Sequence, residues 1–175
     1  MNLLSAWAKW LRRNDIGVRA WSTTQQLQAL AGALERAAAI AALAEQTVRA
    51  CGQAGPVLGT VAHSGGDLIS QYERLRHVVA DIPVDEQCAP LAEEIATLLR
   101  YHQWLVHASL ELAFARNPAP RVEAMRLRLN GLGAPAQRLD DIRIEVSRAL
   151  AAAGPTPASE PVDAKDLVTR RRSGR

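Results

Sequence analysis

The side chains of this sequence best suited to chemistry are its four histidines, His63, His77, His102 and His107. An imidazole can exchange a proton near neutral pH or ligate a metal. Two of them stand four residues from a glutamate, Glu73 with His77 and His107 with Glu111. Two such pairs on neighbouring helices would resemble a carboxylate–histidine metal centre. Di-iron helical proteins, however, use Glu-x-x-His, three apart, with further glutamates from other helices. The spacing here is four, and His77 projects away from the apolar seam of its own segment. No metal and no cofactor is therefore expected. His102 differs because it falls on an apolar seam, Leu91, Ile95, Leu98, His102, Leu105, Ser109 and Leu112. That position predicts a core histidine bonded to a neighbouring backbone group or hydroxyl, or a polar residue that sets helix register.

Other chemistry finds little support. G-x-S-x-G, P-loop, H-E-x-x-H and Cys-x-x-Cys patterns are absent. Ser64-Gly65-Gly66 before Asp67 could cradle an anion at a helix N-terminus. No lysine follows it and an acid opens the next segment, so a plain loop is the expectation. Cys51 and Cys88 make no ligand motif, and two buried free thiols are expected of them.

The elements that must position these residues are helices. The chain has 175 residues, 32 of them alanine, with few aromatics and little β-branched clustering. Ala, Leu, Arg, Gln and Glu lose little freedom in a helix, so the composition favours an all-α fold. Arginine outnumbers lysine 19 to 2, which accompanies the alanine excess as GC-rich coding would produce. The stripe Leu27, Leu30, Leu34, Ala37, Ala41, Ala44, Val48, Cys51 predicts one helix over residues 22–51. Ser22 or the threonines after it would cap that helix. Asp67 would open a second helix running to about Ile82 on the seam Leu68, Tyr72, Leu75, Val79, Ile82, with residues 56–66 left as either a short helix or a loop. Pro90 suits the first turn of a third helix to about Arg116, apolar nearly all round. A short helix over residues 121–130 would bury Val122, Met125 and Leu129. A final one opened by Pro135 would bury Leu139, Ile142, Val146, Ala149 and Leu150.

The expected fold is thus an all-α bundle of five to six helices. Its two long helices, about 22–51 and 89–116, would run antiparallel. Residues 22–153 would form the bundle domain, between an amphipathic basic segment (1–21) and a disordered basic tail (154–175). No apolar run reaches the roughly 20 residues that span a bilayer, and no signal peptide is recognised. A cytoplasmic protein is expected, either free or peripheral to the inner face of the membrane.

The N-terminal segment supplies the candidate interaction surface. On a helical wheel Leu3, Leu4, Trp7, Trp10 and Leu11 fall within about 120°, with Lys9, Arg12 and Arg13 on the other side. Its cover could be the chain's own core, a partner protein or an anionic membrane surface. Basic ends around a near-neutral centre suit a negative surface better than sequence-specific nucleic-acid reading, so nucleic acid is not an expected partner. These features point to a non-enzymatic scaffold or adaptor that binds another protein or itself, a homo-oligomer. A peripheral membrane protein is the alternative, and a metal- or cofactor-binding bundle around His102 is the third reading. Liposome flotation separates the covers. A lipid cover makes the full chain float with anionic vesicles and makes deletion of residues 1–13 abolish flotation; a chain that never floats excludes it.

Overall fold

The computed structural model describes residues 21–116 and 118–153, of which 79% are helical and none lies in a strand. Five helices follow one another: α1 (Thr23–Gly52), α2 (Gly59–Ala80), α3 (Ala89–Ala113), α4 (Pro120–Arg126) and α5 (Ala134–Ala153). The candidate surface at Leu3, Leu4, Trp7, Lys9, Trp10, Leu11, Arg12 and Arg13, and the basic tail, lie outside the described residues.

Local chemistry sets the helix ends. Ser22 caps α1 reciprocally: its hydroxyl accepts the Gln25 amide at 3.2 Å, and its own amide donates to Gln25 Oε1 at 2.9 Å. Helix α2 starts at Gly59, earlier than Asp67, so Ser64-Gly65-Gly66 is helical and not a loop. The reason is packing. Gly65 is buried, and a Cβ there would meet a Leu110 methyl at 2.6 Å, so the glycine lets α2 and α3 approach closely. Ahead of α3, Asp85 Oδ1 accepts the amides of Gln87 and Cys88, each at 3.0 Å. Helix α3 stops at Ala113, three residues short of the expected end.

One core joins α1, α2, α3 and α5. It is built from Leu30, Leu34 and Val48 of α1, Leu68, Tyr72 and Val79 of α2, Ile95, Leu99 and Val106 of α3, and Ile142 and Val146 of α5. The α1 and α2 seams match their sequence pattern. On α3 the buried line is Ala92, Ile95, Leu99, His102, Val106, Ser109, rotated from the expected seam so that Leu91, Leu98, Leu105 and Leu112 are only half-buried. Ala149 of α5 is exposed, against expectation. By length and composition α1 is apolar enough to cross a membrane, which corrects the expectation that no run is; a soluble protein's core helix passes the same test.

Polar ties fix the order of the helices. Gln26, 3% exposed, donates to Asp85 Oδ2 at 3.1 Å and accepts the Asp85 amide at 2.9 Å, joining the start of α1 to the segment leading into α3. At the other end, Arg126 of α4 donates from Nη1 to the carbonyl oxygens of Cys51 and Gln53, both at 2.7 Å. These two ties place the starts of α1 and α3 together and the end of α1 beside the segment after α3. The two long helices therefore share one direction, not opposite ones, because α2 makes the return between them. Glu45 accepts the Leu132 amide, and Arg143 reaches Glu35 at 3.1 Å, so α5 runs against α1. Gly131 makes the Glu45 tie possible: its φ is +115°, and a Cβ there would collide with the Glu45 carboxylate.

Arg126 also corrects the reading of α4. Met125, expected inward, is 51% exposed, and Arg126 is the buried residue at 4%. Its guanidinium forks onto Glu123 at 2.7 and 2.5 Å while capping orphan carbonyls at the end of α1. Removing it would leave those carbonyls unpaired. Arg126→Ala is expected to lower unfolding free energy by about 3 kcal/mol in urea titrations. Glu123→Gln, whose side chain is far more exposed, should cost about 1 kcal/mol or less.

Candidate functional site

Of the four histidines, only His102 lies in the interior. His107 Nδ1 stands 3.7 Å from Glu111 Oε2 on an exposed surface, and His63 lies 3.9 Å from Asp67 in the same way. Glu73 and His77 are exposed on α2. Among the described residues, no three His, Cys, Asp or Glu side chains converge as metal ligands would. Cys51 and Cys88 are buried free thiols. Burial raises both thiol pKa values; Arg126 works against this at Cys51, and Asp85 adds to it at Cys88. Neither has the electropositive, accessible setting of a reactive cysteine.

His102 is fully buried, and neither ring nitrogen has a hydrogen-bond partner among the described residues. The expected backbone or hydroxyl partner is absent among the described residues, and two of its neighbours are rings. Tyr72 of α2 meets it edge-on with centroids 5.5 Å apart, and Tyr101 meets it at 6.3 Å. The Tyr72 hydroxyl is likewise buried without a partner. Burial alone pulls the His102 pKa down to about 4, so the ring is neutral at pH 7 and offers one N–H donor and one acceptor. A pocket of about 130 Å3 lies against it, walled by Leu34, Ala38 and Ala41 of α1 and by Ala136 and Leu139 of α5. Asp140 and Arg143 line the same pocket and pair with each other at 2.8 Å.

A second feature lies on the outer side of α3. Leu98, Tyr101, Trp104, Leu105, Ala108 and Leu112 fall within about 120° of the helix circumference, on the side away from the buried line. Trp104 is 59% exposed and Tyr101 38%, their rings packed on each other with centroids 5.8 Å apart. The leucines of this arc are the half-buried ones. The sequence signalled this face through the all-round apolarity of α3, whereas the N-terminal segment drew attention by its tryptophans. A groove of about 400 Å3 between α1 and α2, lined by Arg36, Ile40, Gln71, Arg74 and Leu75 among others, holds no buried polar group.

Comparison with protein families, curated proteins and solved structures finds no match to this chain. Function must therefore be argued from these surfaces.

The buried imidazole makes a testable demand. Its folded pKa of about 4 lies below the ordinary 6.5. The stability it permits is fully present above pH 6.5 and is lost as pH falls from 6.5 towards 4, by up to about 3 kcal/mol. The lowered pKa values of Asp85, held down first by the Cys88 amide, and of Glu94 and Glu123, held down by Arg138 and Arg126, act only below their ordinary 3.8 and 4.5. Chemical denaturation between pH 7 and 5 should therefore show a fall that His102→Leu removes. At pH 7 that variant should be no less stable than the parent by more than about 1 kcal/mol, since it removes two unpaired polar atoms.

Proposed function

We propose that this chain is a non-enzymatic helical scaffold, working in the cytoplasm, that self-associates through the outer face of α3. In this reading α1, α2, α3 and α5 form an up-down-up-down bundle. The bundle's role is to hold one apolar helix face open to a second copy of the chain.

The observation that carries the reading is the exposed Tyr101–Trp104 pair on an otherwise leucine-rich arc. A helix apolar on more sides than its neighbours cover belongs in an interface. Exposed Trp and Tyr are the residue types that anchor interfaces. The edge of the face favours a second copy over an unrelated partner. Arg100 and Glu111 are eleven residues apart, which places them about 20° apart on the same edge. When two identical helices pair antiparallel, the same edge of each meets the other. A two-fold axis near Leu105 then sets Leu98 against Leu112 of the second copy and Arg100 against its Glu111. Hydrophobic and charged contacts agree on one register.

Sedimentation equilibrium tests this. The full chain should be dimeric at micromolar concentration, and Trp104→Glu should weaken the dimer at least about a hundredfold, the loss expected of an aromatic anchor. Arg100→Glu should weaken it as well, and adding Glu111→Arg to that variant should restore it. A monomeric parent, or a double variant no better than the single one, would refute the proposed register.

A further inference from the structure

The groove between α1 and α5 contains more than small residues. Towards the turn at Gly131 the 130 Å3 pocket adjoins a second depression of about 370 Å3, and both share Ala41, Ala136 and Asp140. Alanines on both helices leave this space where leucines would close it. His102 of α3 forms the inner wall of the smaller pocket and is the only group there that is both polar and fully buried. A buried polar group without a partner is costly, so the site holds a hydrogen-bonding capacity that the fold itself does not use.

We infer that this pocket is a binding site for a small uncharged ligand, a single aromatic ring carrying a hydroxyl, with the hydroxyl bonded to His102. The walls disfavour a charged head group beside His102: Leu34, Ala41, Ala136 and Leu139 offer no counter-charge. At the mouth, Arg143 is already held by Asp140 and Glu35, so among the described residues that line it no cation is left to draw in an anion. Size sets the remaining limit. A dry cavity of about 150 Å3 accommodates benzene, and the pocket is close to that volume. A neutral imidazole can donate to the hydroxyl oxygen or accept its proton. The nitrogens are sealed from solvent, but no hydrogen bond fixes the ring, and its χ2 rotation is soft. Binding requires the ring to turn about χ2 so that a nitrogen faces the pocket.

The probe is phenol, with toluene as its isosteric control, titrated into the full chain at pH 7 and followed by calorimetry and by the His102 ring signals in 15N NMR. Phenol should bind saturably, about tenfold more tightly than toluene, and should shift the His102 nitrogens. His102→Leu should erase the preference while toluene still binds. Ala38→Leu, at an exposed position on the rim, should weaken both probes at least tenfold and leave the fold intact. Absence of saturable binding overturns the inference. So does equal affinity for the two probes, or binding untouched by Ala38→Leu. Dimerisation through α3 is measured separately, so the fate of this site does not decide that of the interface.

Discussion

Helix α3 is apolar around most of its circumference, and much of the molecule follows from the need to cover it. Its buried side, from Ala92 to Ser109, is met by α1, α2 and α5. No helix in the described part of the chain lies over Trp104, which remains 59% exposed. Sheltering the buried arc removes enough apolar surface from water to drive assembly. The uncovered arc then faces solvent as a surface of interface-like composition. Fold and proposed function arise from the same excess of apolar surface on one helix.

Polar groups determine how the helices are arranged around that core. Burial is non-directional, and the apolar seams alone allow α1 and α3 to run either way. The Gln26–Asp85 exchange at one end and the Arg126 fork at the other admit a single arrangement. Each satisfies backbone groups that helix ends leave without partners. Arg138 with Glu94 and Arg143 with Glu35 then hold α5 against α3 and α1, although these exposed pairs add little energy individually. His102 is the exception to this economy, a buried polar side chain with no partner among the described residues.

What the sequence disclosed reflects the same division. Seams with period 3.5 located α1, most of α2 and α5, and the buried lines through Leu30 and Tyr72, because hydrophobic periodicity is a local signal. Arg126 was not legible: an arginine between Met125 and Leu127 looks solvent-facing until the carbonyls it caps, some 70 residues earlier in the chain, are in place. The expected antiparallel pairing of the long helices failed for a related reason, since direction is set by which ends share polar ties and not by which segments are longest. The start of α2 was obscured by its glycines, which read as a loop until Leu110 is seen against Gly65. The burial of His102 was legible from its seam position. Its lack of a partner was not, because that depends on which side chains other segments bring beside it, here Tyr72 of α2.

Hydroxyl-radical footprinting of the full chain, compared between dilute and concentrated solution, tests the central claim most directly. Self-association through α3 predicts that oxidation of Tyr101 and Trp104 falls sharply on concentration while that of exposed Met125 stays constant. Equal oxidation of Trp104 at both concentrations, in a chain that is concentrated enough to associate, would contradict the account.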